Sequence, residues 1–185
     1  MNYSTAQRVL RLTVFGALLS AISIVCGKYL AFNIGEFIRF SFENLPIIFA
    51  GMAFGPIVGA LVGVVADLIG CLLVGYAINP IITVAAGTIG ILSGLSRFLP
   101  EPKSRLAYLF RIALTVTVAH LVGSVVIKSF GLSVFYDMPL VILMLWRLLN
   151  YLIVGILEGF ILYHIMKNKA IELEIRKIMK GKDRK

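Results

Sequence analysis

Long apolar runs constrain the fold of this chain more than any other feature of its sequence. The runs at about 9–28, 80–97, 106–128 and 140–166 are each long enough to cross the hydrocarbon core of a bilayer as a helix. Hydrophobic residues make up 59% of the 185 residues, which leaves no room for a soluble domain. We therefore expect an all-α integral membrane protein, with a membrane-embedded domain over residues 1–168 and a basic tail over 169–185.

The segment 41–56, SFENLPIIFAGMAFGP, decides how many times the chain crosses. It holds Pro46 near its start and Pro56 at its end. A single helix from Leu45 to Leu73 would be about 44 Å long, far more than the hydrocarbon core requires. A turn at Gly55 gives two shorter helices instead, and with them six transmembrane helices and both termini on one side. We expect this six-helix arrangement.

The basic residues support it, because they collect on the side where both termini would lie. The chain has 18 Lys and Arg against 9 Asp and Glu, a formal net charge of +9. Most of the bases lie near the N-terminus, between residues 97 and 111, or after His164. Cytoplasmic loops of membrane proteins carry such an excess. We therefore predict cytoplasmic termini, and we interpret the charge as a sign of orientation and not of nucleic-acid binding.

The opposite, outer end would hold the remaining bases and three helix starts. The bases are Lys28, Arg39, Lys128 and Arg147, and the helix starts are Asn44-Leu45-Pro46, Asn79-Pro80 and Asp137-Met138-Pro139. Asn and Asp are preferred N-caps, and Pro fits the first turn of a helix. Helix N-termini present unpaired N–H groups and partial positive charge. Together these features indicate a site for a small anion, although each helix start alone is ordinary.

Polar residues within the predicted spans are the next candidates, because ionisable groups in a bilayer usually face a cavity or a partner. The fifth span carries a polar stripe at helical spacing, formed by Thr117, His120, Ser124 and Lys128. The sixth span carries Arg147, Asn150 and Glu158 near one face, and the third span carries one carboxylate, Asp67. His120 could contact a ligand or be a packed, hydrogen-bonded residue. Asp67 and Glu158 could pair with neighbouring helices, or serve as the coupling carboxylate of a small stand-alone ion-coupled transporter.

No motif for catalysis, nucleotide or metal is present. The sequence has no GxxxxGK[ST] loop, no HExxH and no GxSxG, and Cys26 and Cys71 form no CxxC pair. We therefore expect neither an enzyme nor a bound metal or cofactor.

The first span carries small residues at four-residue spacing, Gly16 with Ser20 and Ala17 with Ala21. Such spacing lets helices approach closely. These residues could pack inside the bundle or form a docking surface for a partner subunit.

Three stretches together resemble a known family: FENLPIIFAGMAFGPIVGALVGVVADLIGC, GYAINPIITVAAGTIGILSG and LWRLLNYLIVGILEGFILY. They are similar to the substrate-binding S component of energy-coupling factor (ECF) vitamin transporters, an ABC transporter type, and most of all to its folate-specific FolT group. The resemblance covers roughly 10–168. It implies a multi-pass protein of the bacterial plasma membrane with six helices, cytoplasmic termini and one vitamin bound near the outer face. It also implies that the protein docks on the membrane coupling protein EcfT, which has two EcfA-type ATPases below it. The docking surface of the family is a small-residue motif on the first helix, whose spacing Ala17 and Ala21 match. The vitamin would be delivered when the S component topples in the membrane.

Folate as the ligand suggests roles for the outer residues. Its two carboxylates would contact Lys28, Arg39 or Arg147, its pterin edges would contact Asn79 and Asn150, and its rings would stack on Phe40, Phe42, Tyr76 or Trp146. Asn44 and His120 complete the predicted set of substrate-binding residues. S components for pantothenate or a queuosine precursor remain alternatives, as does the ion-coupled transporter.

Overall fold

The computed structural model describes residues 3–34 and 38–180. Within these ranges the chain forms eight α-helices and one small hairpin. The helices are α1 Tyr3–Ile24, α2 Asn44–Phe54, α3 Pro56–Val74, α4 Pro80–Leu95, α5 Arg105–Ala119, α6 Lys128–Tyr136, α7 Leu140–Lys167 and α8 Lys169–Lys180. The strands β1 Phe32–Ile34 and β2 Ile38–Phe40 pair antiparallel, with Phe32 opposite Phe40. A π-helical segment, Val25–Tyr29, extends α1, and another, His120–Ile127, joins α5 to α6.

The predicted turn at Gly55 is confirmed. Gly55 has φ 99°, a conformation that residues with a Cβ rarely adopt, and α3 begins at once with Pro56. A Cβ built on Gly59 would lie only 2.7 Å from the Cα of Gly51. In one continuous helix these two positions would be about 12 Å apart, so α2 folds back along α3.

Five described segments are long and apolar enough to cross a membrane: Thr5–Tyr29, Pro56–Val74, Pro80–Phe98, Arg105–Tyr136 and Leu140–Lys167. α2, with 11 residues, is shorter. Most of its residues are buried within the protein, where the polar backbone of a short helix is shielded from lipid. The count of six spans and the position of the termini stay predictions.

Glycines bring α2, α3 and α4 into backbone contact. A Cβ on Gly59 would lie 2.5 Å from the carbonyl oxygen of Gly90, and one on Gly51 would lie 2.6 Å from the same oxygen. Larger side chains therefore cannot be accommodated without separating the helices. Around this contact the core is aliphatic, with Ile48, Ile89 and Leu162 fully buried.

Of the three predicted helix caps, only Asn79 is confirmed. Its side-chain oxygen accepts from the N–H groups of Ile81 and Ile82, at 3.0 and 3.4 Å. The cap predicted at Asn44 is wrong, because Glu43 precedes α2 and the Asn44 amide bonds to other helices instead. The cap predicted at Asp137 is also wrong. Asp137 ends α6 in the left-handed conformation, with φ 50°, which Asp tolerates better than most residues.

The tail helix α8 lies against the bundle. Ile178 on its apolar side is 2% exposed and packs with Ala53 and Phe54 at the end of α2. Its other side carries the exposed ion pairs Arg176–Glu172 and Lys177–Glu174. The basic tail is thus amphipathic within the residues described.

Candidate ligand-binding site

A cavity of about 510 Å³ lies at the end of the bundle where α2, α4 and α7 begin and where α1, α3 and α6 end. This is the end at which the sequence predicted an anion site. The polar lining comes from helix ends, from connecting loops and from inner turns of α3 and α7: Lys28, Ser41, Glu43, Asp67, Cys71, Tyr76, Asn79, Lys128, Tyr136, Arg147, Asn150 and Tyr151.

Two cations of the lining, Lys28 and Arg147, make no ion pair with any carboxylate in the part of the chain that the structure describes. Lys28 follows α1, and its Nζ lies 5.4 Å from the centroid of the Tyr76 ring. Arg147 on α7 donates from Nη1 to the carbonyl oxygen of Ser124 at 3.3 Å. Both charges can therefore attract an anion in the cavity.

The third cation, Lys128, is neutralised. Its Nζ donates to Glu43 Oε1 at 2.5 Å, and Asn44 Oδ1 lies 3.4 Å away. Lys128 is 5% exposed, so its charge needs this partner. The sequence predicted Lys128 at the outer end but not its pairing with Glu43, which is distant from Lys128 in sequence.

A second carboxylate, Asp67 on α3, also lines the cavity. Its Oδ2 accepts a hydrogen bond of 2.6 Å from Thr83 Oγ1 on α4. The expectation that Asp67 could pair with a polar group of a neighbouring helix is confirmed. The contact fixes this carboxylate at the cavity wall.

A buried polar network supports the cavity from behind. Asn44 Nδ2 donates to Ser124 Oγ at 3.3 Å and to Tyr151 Oη at 3.5 Å. His120 Nδ1 lies 3.3 Å from Ser124 Oγ, and His120 Nε2 lies 2.5 Å from Glu158 Oε2. The His120 ring also stacks on Tyr151, with centroids 4.4 Å apart. Asn44 and His120 thus hold Tyr151 in position rather than line the cavity themselves.

The structure places the predicted site residues differently. Lys28, Tyr76, Asn79, Arg147 and Asn150 line the cavity, whereas Asn44 and His120 lie behind it. Asn79 is already engaged, because it caps α4 and donates from Nδ2 to Gly131 O at 2.9 Å.

The aromatic predictions fit less well. Phe40, Phe42 and Trp146 are not among the lining residues. Phe40 stacks on Phe32, with centroids 5.5 Å apart, and Trp146 is 38% exposed. The side chain of Arg39 lies outside the described part of the chain. Among the described residues, the aromatic lining is formed by Tyr76, Tyr136 and Tyr151, and the sequence predicted only Tyr76.

The predicted docking residues occupy two faces of α1. Gly16 and Ser20 face α3: Ser20 is 4% exposed and donates from Oγ to Val62 O at 3.3 Å. Ala17 and Ala21 are exposed. Gly16 and Ser20 therefore hold α1 against α3, and only the alanine pair is available to a partner.

The sequence model of the family described as "ECF transporter, substrate-specific component" matches residues 11–166. The chain belongs to this family. It is accordingly a membrane-embedded S component, which is a substrate-binding transport subunit and not an enzyme. Such a subunit works with an energy-coupling module. A search of curated protein sequences found no match.

Three solved S-component structures are similar to this chain. The structure of FolT bound with folic acid has a TM-score of 0.67 and 23% identity, over 82% of this chain and 90% of that one. The structure of an S component of a bacterial ECF transporter has a TM-score of 0.66 and 22% identity, over 89% of this chain and 98% of that one. The structure of an S component for biotin has a TM-score of 0.64 and 18% identity, over 95% of this chain and 100% of that one. Identities this low establish the fold alone, and the predicted fold class, an all-α S component, is confirmed.

Proposed function

We propose that this S component, in the bacterial plasma membrane, captures folate in the cavity. It then docks on EcfT, which assembles with two EcfA-type ATPases, and delivers the folate to the inside of the cell. One observation carries the proposal. Lys28 and Arg147 line one cavity of about 510 Å³, and neither is ion-paired in the described part of the chain. That volume is within the range of pockets that hold small organic ligands.

The two carboxylates of folate match these cations. A carboxylate bound by Lys or Arg forms charge-assisted hydrogen bonds, which are about twice as strong as neutral ones. The planar guanidinium of Arg147 can hold one carboxylate through two parallel bonds, and Lys28 can act as a point charge for the other. A ligand with a single carboxylate would engage only one of these two cations directly.

The rest of the lining suits a flat ring with hydrogen-bond donors. The pterin of folate carries N–H groups on one edge, and Asp67 provides a carboxylate that could accept from them. Tyr76 and Tyr151 provide ring faces for stacking. Asn150 remains a candidate for the amide-like edge. Asn79 is a weaker candidate than the sequence suggested, because its amide already bonds within the protein.

Other S-component ligands are the second candidates. The similarity to the biotin S component is nearly equal to that with FolT, so overall fold does not distinguish the ligands. Biotin and pantothenate each carry one carboxylate, and a queuosine precursor carries none. The pair of cations therefore favours folate among them.

Isothermal titration calorimetry on the purified full-length chain in detergent tests the proposal. We expect saturable binding of folate, with no heat from biotin, pantothenate or a queuosine precursor at the same concentrations. The single tryptophan, Trp146, next to Arg147, gives a second readout by fluorescence. Binding of one of the other ligands without binding of folate would contradict the proposal and leave the S-component family unaffected.

A further inference from the structure

A second concave surface lies apart from the ligand cavity, between α5 and α7. It is a groove of about 1110 Å³ that runs from Ser104 to Val125, along α5 and part of the π-helical segment after it. At 1.5 Å per residue this stretch is about 30 Å long, close to the thickness of the hydrocarbon core. The groove is therefore long enough to receive an extended acyl chain.

Small residues on one wall and large apolar residues on the rim create the groove. A Cβ built on Gly159 of α7 would meet nothing within 4 Å, so this face of α7 is open. Leu106 and Phe110 of α5 and Phe160 of α7 line the groove and are 77%, 68% and 65% exposed. The lining is predominantly apolar, as an acyl chain requires.

One end of the groove is basic. Ser104 and His164 line this end. The segment 101–105 carries Lys103 and Arg105, both exposed, against a single acid. Lys167 is also exposed, and its Nζ lies 3.1 Å from the hydroxyl of Tyr163, another lining residue. These cations lie on the side predicted to be cytoplasmic, where anionic lipids attract basic residues.

We propose that the groove binds one anionic phospholipid, with an acyl chain along the apolar lining and the phosphate at Lys103, Arg105 and Lys167. Charge complementarity selects this occupant, because an apolar surface alone would not discriminate among lipids. The proposal does not depend on which vitamin the S component binds. Tyr151 lines both the groove and the ligand cavity, so the lipid would lie directly behind the ligand-binding wall.

Native mass spectrometry of the full-length protein tests this proposal. The protein is equilibrated with equal amounts of phosphatidylglycerol and phosphatidylcholine in detergent. We expect one phosphatidylglycerol to be retained in preference. The variant Lys103→Gln/Arg105→Gln/Lys167→Gln should lower the preference by roughly fivefold for each charge removed.

Filling the groove provides the second arm. Gly159→Phe places a ring in the open space and should abolish retention of the lipid, whereas Ile57→Phe, at a 75% exposed position on α3, should not. Equal retention of the two lipids by the unaltered protein, or a preference that survives the triple substitution, overturns the proposal. It is also overturned if Gly159→Phe keeps the lipid and weakens assembly with the energy-coupling module, because the groove would then be a protein interface.

Discussion

Lys128 Nζ lies 2.5 Å from Glu43 Oε1, and this ion pair joins the start of α6 to the residue that precedes α2. The Lys128 side chain is 7% exposed and that of Glu43 is 23% exposed. Although both residues line the cavity, the charge of Lys128 is balanced within the protein. The pair therefore shapes the cavity, and Lys28 and Arg147 stay the proposed partners of ligand charges.

Glu43→Gln should destabilise the protein by about 3 kcal/mol, because the buried ammonium of Lys128 loses its counter-charge. Thermal unfolding in detergent measures the effect. The double variant Glu43→Gln/Lys128→Met should recover most of the loss, since it removes the remaining charge. Equal melting temperatures for the single variant and the unaltered protein would show that the pair contributes nothing to stability.

Lys28→Met and Arg147→Met should each weaken folate binding by roughly ten- to a hundredfold, because each removes a hydrogen bond to a charged group. Titration calorimetry measures the affinity, and Lys169→Met, an exposed base on α8, is the matched control that should bind as before. If folate binds and neither variant weakens binding, the carboxylates lie elsewhere in the cavity.

Gly59→Ala should destabilise the bundle, because the added Cβ would lie 2.5 Å from Gly90 O. Overpacking of this kind costs about 1–3 kcal/mol. Gly159→Ala is the matched control: its Cβ meets nothing within 4 Å, and alanine favours the helix by up to about 1 kcal/mol. The melting temperatures of the two variants should therefore move in opposite directions. A stabilised Gly59→Ala variant would contradict the close packing of α2, α3 and α4.

Ala17→Leu/Ala21→Leu should impair substrate uptake in cells that contain the energy-coupling module and leave ligand affinity of the isolated chain unchanged. Larger side chains prevent the close helix contact that small residues permit. Val84→Leu, at a 60% exposed position on α4, is the control for an enlarged lipid-facing residue. Normal uptake by the double variant would exclude this face of α1 as the docking surface.

The sequence predicted the hairpin of α2 and α3 because local chemistry specifies it. Gly55 tolerates the unusual backbone conformation, and Pro56 fits the first turn of the next helix. The helix caps were less predictable. Asn44 has the right residue type for a cap, but its amide is drawn into contacts with Ser124 and Tyr151 that depend on tertiary packing.

Part of the candidate site was also accessible from the sequence. Lys28 and Arg147 were identified because few bases remain at the predicted outer end. The pairing of Lys128 with Glu43 was not predicted, because it depends on how α6 lies beside the start of α2. The tyrosines of the lining were missed for a similar reason: residue type alone does not tell which ring faces inward.

The π-helical segment His120–Ile127 determines where the residues after it point. In an α-helix every step of four residues advances by about 40° around the axis, so His120, Ser124 and Lys128 would spread over about 80° of one face. The wider π turn rotates the chain less per residue, and so it sets the helical phase at which α6 begins. Restoring α geometry in this segment without removing a residue would rotate the whole of α6 about the helix axis. Lys128 would then turn away from Glu43, and a change in helical phase alone would dismantle the cavity wall.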